Sequence, residues 1–274
     1  MWSDMSETPI QATLRQVYVH WPAYLVGYGG GALLALVVVF ISMQRQWWGF
    51  IPLMLAFLLL LAYFFAASLW VAYQKNETAA TLILLTWAQL QPTDSFAHID
   101  LGRRSVGERL ARYLTTGKLT VIDVYNPQLT PGAALARARS IAGPMLLSDP
   151  RLTCLEGSID LLPLPDKSML VVTMIYTLPE FWQQGDQEQL LQEIYRILKP
   201  GGRLILLEQA RQPANIMMLG PLVWHWPAAA HWQHLLQKTG FTIRKQEMIQ
   251  AGLTVAFRAD KPVQFQNRQL DLRF

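Results

Sequence analysis

Two stretches of this 274-residue chain, 22–42 and 49–73, contain no Asp, Glu, Lys or Arg. No other feature limits the possible folds as strongly. About 20 consecutive apolar residues match the thickness of a bilayer core, whereas a soluble helix of that length normally keeps one polar face. The pattern therefore predicts two transmembrane helices, the alternative being a pair of buried core helices. The tail before the first run carries Asp4, Glu7 and Arg15 rather than a basic cluster, and no small-residue cleavage site follows a short apolar core. A removable signal is thus not expected, and both spans should persist.

Only Gln44-Arg-Gln-Trp-Trp48 separates the two runs, so they form an antiparallel hairpin with both ends on one side of the membrane. Arg15, Arg45 and Lys75 flank opposite ends and leave the orientation open by charge alone. The rest of the chain is expected on the cytoplasmic side. Ahead of the hairpin, Ile10, Leu14, Val17 and Tyr18 share one helical face, as in a segment lying in the interface with Trp21 at head-group level. Gly27, Gly29, Gly30 and Gly31 crowd the start of the first span, where small residues permit close helix approach. The resulting division is 1–76 for the interfacial segment and hairpin, 77–262 for a globular domain, and 263–274 for a polar tail.

Charged residues make up 15% of the chain, against about a quarter in soluble proteins, and the hairpin accounts for part of the shortfall. The net charge of +4 is modest and no Lys/Arg stripe interleaved with aromatics occurs, so nucleic acid is not an expected partner. Membrane lipids are. A single cysteine, Cys154, excludes an internal disulfide and any cysteine-rich metal site. His225, His231 and His234 lie near one another without a nearby acid or cysteine, so no metal site is expected.

From residue 77 onward the periodicity changes to alternating helix and strand. Leu82, Leu84, Leu85, Trp87 and Leu90 mark a helix over 78–90, stopped by Pro92. A β-rich run at 96–100 ends in Asp100, Leu101 and Gly102 make a tight turn, and Val106, Leu110 and Leu114 follow at helical spacing. A second run, 119–125, contains Asp123. Further strands are expected at 152–155, 169–176 and 203–208, with helices at 133–141, 187–198 and 229–239. The last two runs, 241–248 and 253–258, have no helix between them and should pair antiparallel at one edge. Such an α/β pattern aligns the carboxyl ends of parallel strands on one edge, where a nucleotide-like ligand lies with its ribose against the acid of the second strand.

The segment Glu193-Ile-Tyr-Arg-Ile-Leu-Lys-Pro-Gly-Gly-Arg-Leu-Ile-Leu-Leu-Glu208 resembles class I S-adenosylmethionine-dependent methyltransferases, particularly the ubiquinone and menaquinone C-methyltransferase branch. Leu162-Pro-Leu-Pro-Asp-Lys-Ser168 and Lys238-Thr-Gly-Phe241 resemble the same family in the same order. The resemblance covers about 89–262 and implies a Rossmann-like methyltransferase fold, mainly parallel with an antiparallel edge pair, and S-adenosyl-L-methionine as cofactor. It assigns cofactor contacts to Asp100, Gly102, Asp123, Ser158 and Ile159. Three positions depart from the family pattern: Arg104 stands in place of a glycine, Ser158 in place of the adenine-side acid, and Leu170 in place of an Asp before the fourth strand.

Two functions follow from the resemblance. One is a membrane-anchored methyltransferase acting on a lipophilic acceptor such as a quinone, isoprenoid, pigment or lipid, with Tyr176 and His225 as polar groups at the acceptor. The other is a catalytically inactive methyltransferase-like subunit that docks in a larger membrane complex. The apolar stretch 216–232, with Met217, Met218, Trp224, Trp226 and Trp232, is expected to form a membrane-facing lip of the site, or, in a docking subunit, to meet a partner chain.

Overall fold

A computed structural model describes residues 9–74, 77–142, 149–213, 215–216, 223, 226–250 and 252–263. Helix α1 (Pro9–Val19) leads through a short α2 (Trp21–Tyr24) and a π-helical turn (Leu25–Gly29) into α3 (Gly30–Gln44). A tight turn then gives α4 (Phe50–Gln74). Continuous helices over Trp21–Gln44 and Phe50–Tyr73 are long and apolar enough to cross a membrane. Only 11% and 6% of their most apolar windows are buried in the protein, the opposite of what core helices would show. Of the glycines at the start of the first span, Gly31 alone meets the second, facing Leu61 and Phe57, while Gly27 and Gly30 look into open space. Tyr28 completes the contact, donating its hydroxyl to Phe64 O at 3.2 Å and packing on Phe65.

The apolar stripe of α1 stands exposed. Ile10, Leu14 and Tyr18 are all more than 60% exposed, while Val19 is buried. The other side of α1 lies on α4 and on α7.

Beyond the hairpin, α5 (Glu77–Ala88) packs its Leu84, Leu85 and Ala88 onto a seven-stranded sheet. The strands are β1 (Phe96–Asp100), β2 (Leu119–Asp123), β3 (Leu152–Glu156), β4 (Met169–Ile175), β5 (Leu198–Gln209), β6 (Thr242–Ile249) and β7 (Thr254–Asp260). Helices α6 (Ser105–Tyr113), α7 (Ala133–Ala142), α8 (Gln184–Ile197) and α9 (Ala229–Lys238) connect them. The order β3-β2-β1-β4-β5-β7-β6 has five parallel strands, then β7 antiparallel to both β5 and β6. This is the Rossmann-like arrangement with an antiparallel edge pair. The sequence order of the strands reverses between β1 and β4, so the crevice outside their carboxyl ends is the expected ligand position.

Two apolar cores flank the sheet. On one face α8 inserts Leu190, Leu191, Ile194 and Ile197, the amphipathic stripe of its sequence, beside Trp232, Leu235 and Leu236 of α9. On the other, Val106, Leu110 and Ala111 of α6 meet α5. Trp232 is fully buried and donates its indole N–H to Gln209 O at 2.9 Å. It is therefore core, not part of a membrane-facing lip. Met217, Met218, Trp224 and His225, with the C-terminal residues 264–274, lie outside the described residues.

The carboxyl edge of the sheet meets the base of the hairpin. Ala67 and Val71 near the end of α4 pack with Val223 and Leu253, and Trp226 leans on the same cluster. Leu253 immediately precedes β7, whose Thr254 is opposite Gln209 at the carboxyl end of β5. From the β2 side, Arg137 of α7 donates its Nε–H to Val19 O, the last residue of α1, at 2.6 Å.

Candidate functional site

The first turn at this edge is built around a buried acid. Asp100 ends β1, is 6% exposed, and accepts the Arg104 backbone N–H at 2.8 Å through Oδ2. Gly102 within the turn has φ +73° and Arg104 has φ +62°. With ψ −32° and the Ser105 N–H donating to Arg103 O at 2.7 Å, the arginine is the centre of a γ-turn, a conformation that a glycine takes with less strain. For a residue with a side chain this costs on the order of 1 kcal/mol, and the Asp100 hydrogen bond holds the turn in place. The loop keeps a glycine-like backbone despite the substitution.

Register places Asp123 beside Asp100, the two being paired at the ends of β2 and β1. Asp123 Oδ1 accepts the Tyr125 N–H at 3.1 Å. Both of its oxygens also accept from Arg139 Nη1 of α7, at 2.9 and 2.7 Å. The same nitrogen donates to Leu101 O at 2.6 Å, and the guanidinium carbon lies 4.0 Å from the centre of the Tyr125 ring. A Cβ on Gly102 would fall inside this guanidinium and 2.9 Å from Asp123 Oδ2. Beside these groups a cavity of about 170 Å3 opens between Asp100, Gly102, Arg104 and Asp123 and the Cys154–Glu156 end of β3.

The other two cofactor-side candidates sit apart from that cavity. Ser158 is exposed and exchanges hydrogen bonds with Asp160, accepting its N–H at 3.2 Å and donating to Oδ2 at 3.1 Å. Ile159 is a core residue, 3% exposed. Leu170 is exposed on the second residue of β4.

Across the switch point the turn after β4 is held from behind. Glu208, fully buried near the end of β5, accepts the N–H groups of Thr177 and Leu178 through Oε1, both at 3.0 Å. Gln187 of α8 donates Nε2–H to the carbonyls of Leu178 and Phe181. Burial pushes the Glu208 carboxyl up to about 8, against the lowering effect of those two backbone N–H groups. Its Oε2 has no hydrogen-bond partner among the described residues. In front, Glu180 of this turn pairs with Arg103, the residue after Gly102, and so ties the two loops of the crevice together.

Tyr176 does not face the cavity. With φ +48° it turns toward β7, where its hydroxyl donates to Gln250 Oε1 at 2.8 Å and lies 2.7 Å from Thr254 Oγ1. His225 is outside the described residues. Among the described residues no cluster of His, Cys, Asp and Glu could hold a metal ion. His231 packs edge-on against Trp232. A larger hollow of about 600 Å3 lies at the hairpin turn beside Trp47, Trp48 and Phe50, remote from these groups.

Arg139 and Glu208 are the two residues that sequence reasoning missed. Nothing in the spacing of α7 singles out Arg139. Glu208 did carry a signal: it stands at the end of a strand, as Asp100 and Asp123 do.

Comparison with known proteins agrees with this architecture. Residues 101–206 match a methyltransferase-domain family model. The ubiquinone/menaquinone biosynthesis C-methyltransferase UbiE of Ruegeria sp. is 27% identical over 133 residues, covering 47% of this chain and 48% of the relative. UbiE of Serratia proteamaculans is 28% identical over 142 residues, covering 52% and 47%. The chain thus spans about half the length of these curated relatives. Among solved structures, a SAM-dependent methyltransferase from Aquifex aeolicus superposes with TM-score 0.51 at 15% identity, over 68% of this chain and 89% of that one. The [4+2]-cyclase SpnF superposes with TM-score 0.50 at 20% identity, over 70% and 82%. At such identities structural likeness speaks for the fold alone, and one of these two titles names a cyclase. The family match over 101–206, the similarity to the UbiE proteins and the strand order together make the chain similar to class I S-adenosylmethionine-dependent methyltransferases of the UbiE kind.

Proposed function

We propose that the chain is a membrane-anchored S-adenosylmethionine-dependent methyltransferase acting on a lipophilic acceptor of the quinone, isoprenoid, pigment or lipid kind. The observation that carries this reading is the position of the crevice. The carboxyl edge bearing Asp100, Gly102 and Asp123 is docked on the root of an exposed apolar hairpin through Ala67, Val71, Val223 and Leu253. An acceptor dissolved in the bilayer would then reach the sheet edge without crossing water.

The residues present fit the cofactor in part. Asp123 is the acid for the two ribose hydroxyls, Gly102 leaves the backbone open, and the Asp100 turn supplies its shape. The 170 Å3 cavity is below the roughly 300–1,000 Å3 of pockets for drug-sized ligands, and Arg139 holds both oxygens of Asp123 at its side. When bound, the cofactor supplies an electrophilic methyl group on a positively charged sulfur. The protein's part is to hold donor and acceptor in line and to exclude water, and the clamped turn at 177–181 with its Glu180–Arg103 pair is the rigid wall for that purpose. Calorimetry with S-adenosylmethionine on the full chain in a bilayer, beside transfer of labelled methyl to a quinone, tests the reading. Asp123→Ala should weaken binding by more than about 1 kcal/mol, the scale of a lost charge-assisted hydrogen bond. Absence of binding at millimolar cofactor would sink it.

A second reading, an inactive subunit docking in a membrane complex, is favoured by Arg104 in the cofactor loop and by Arg139 on the ribose acid. It predicts no binding and no transfer in that experiment.

We also propose that the domain faces the cytoplasm, since cofactor metabolism is cytoplasmic and the five-residue loop between the runs holds both chain ends on one side. Trp182 is 81% exposed on the domain. A membrane-impermeant thiol reagent applied to intact cells should fail to label Trp182→Cys, and efficient labelling would overturn the orientation.

A further inference from the structure

We infer that Arg139 is the resident occupant of the nucleoside position, and that a nucleoside binds only by displacing its guanidinium. The inference rests on the cofactor reading above and concerns how that site is kept closed.

A ribose diol bound to Asp123 needs both carboxylate oxygens, one for each hydroxyl. Arg139 already engages both, at 2.9 and 2.7 Å, and adds Leu101 O and the Tyr125 face. The recess left by the missing side chain of Gly102, which in a nucleoside site admits the ligand, is filled here by the guanidinium. Two properties make this occupant displaceable. The side chains of Arg139 and Asp123 are 25% and 23% exposed, so the guanidinium can leave for water without crossing a core. Its partners are also groups that a diol can take over, a carboxylate and a carbonyl. Asp123 meanwhile stays anchored by the Tyr125 N–H.

The test is titration calorimetry on the full chain in detergent micelles, with S-adenosylhomocysteine and adenosine as probes. Arg139→Ala should bind both up to about fivefold more tightly than the parent, because the ligand no longer competes with an ion pair that stands partly in solvent. Arg139→Lys keeps the charge but loses the planar fork, so it should fall between the two and serves if the alanine variant does not fold. Competition adds a signature that a purely structural ion pair lacks. Raising salt should strengthen adenosine binding to the parent by screening the pair and leave Arg139→Ala unmoved. Equal or weaker binding by folded Arg139→Ala would overturn the inference and leave the cofactor reading standing. Binding by neither protein would overturn both.

Discussion

The two halves of the carboxyl edge treat a carboxylate differently. At β2, Asp123 is satisfied by a guanidinium that stands partly in solvent. At β5, Glu208 is fully buried and held through Oε1 alone by two backbone N–H groups of the neighbouring turn. A side-chain partner at the surface can be exchanged for a ligand. Backbone partners in a dry interior cannot be, and they fix the shape of a wall. The half at β1 and β2 is therefore the one that can open, while the half at β4 and β5 is preorganised.

The largest expected effect falls on the preorganised half. Glu208→Ala leaves the N–H groups of Thr177 and Leu178 buried without an acceptor, at about 1–3 kcal/mol each, so unfolding by denaturant should show a loss of roughly 3 kcal/mol. Glu208→Gln keeps an acceptor and should lose far less. The same carboxyl sets a pH dependence. Because its value in the folded protein is raised to about 8, the folded state holds a proton that the unfolded chain releases at the usual glutamate range. Stability should then fall by up to roughly 1.4 kcal/mol per pH unit as pH rises from that range toward 8, and level off above it. Glu208→Gln should abolish this slope. A slope unchanged by the substitution would show that another group carries it, and would erase the contrast between the two halves.

The elements themselves were legible in the sequence because each repeats a simple physical pattern. Freedom from charge over more than 20 residues gave the hairpin helices, and the Leu190, Leu191, Ile194, Ile197 stripe gave the buried face of α8. Acids at strand ends marked the edge that carries the cleft, and two adjacent strands without a helix gave the antiparallel pair. Side-chain destinations were less legible. Tyr176 follows β4, yet its left-handed backbone sends the ring to β7, and no periodicity encodes one residue's φ. Trp232 looked like an interfacial tryptophan, and only the fold reveals that its indole caps Gln209 O inside the core. Arg139 lies 16 residues from Asp123, on a helix whose sequence gives no reason to prefer that partner over water.

A smaller effect sharpens the contrast from the half that opens. Gly102→Ala has two costs in the parent. A side chain at φ +73° is strained by about 1 kcal/mol wherever it points, and this Cβ must also expel the Arg139 guanidinium. The second cost is the value of the Arg139–Asp123 contact, about 1 kcal/mol at most for a pair partly open to solvent. In an Arg139→Ala background the second cost falls away, leaving the strain and the 2.9 Å approach of the new Cβ to Asp123 Oδ2. Denaturant unfolding of the parent, both single variants and the double variant forms a cycle in which the two substitutions should couple by up to about 1 kcal/mol, whereas independent sites add. The corresponding cycle between Gly102→Ala and Glu208→Gln should show no coupling, since the clamp on 177–181 does not depend on whether the recess at Gly102 is filled. Additivity in the first cycle would mean that Arg139 holds Asp123 without entering that recess, and coupling in the second would mean that the two halves of the edge move as one.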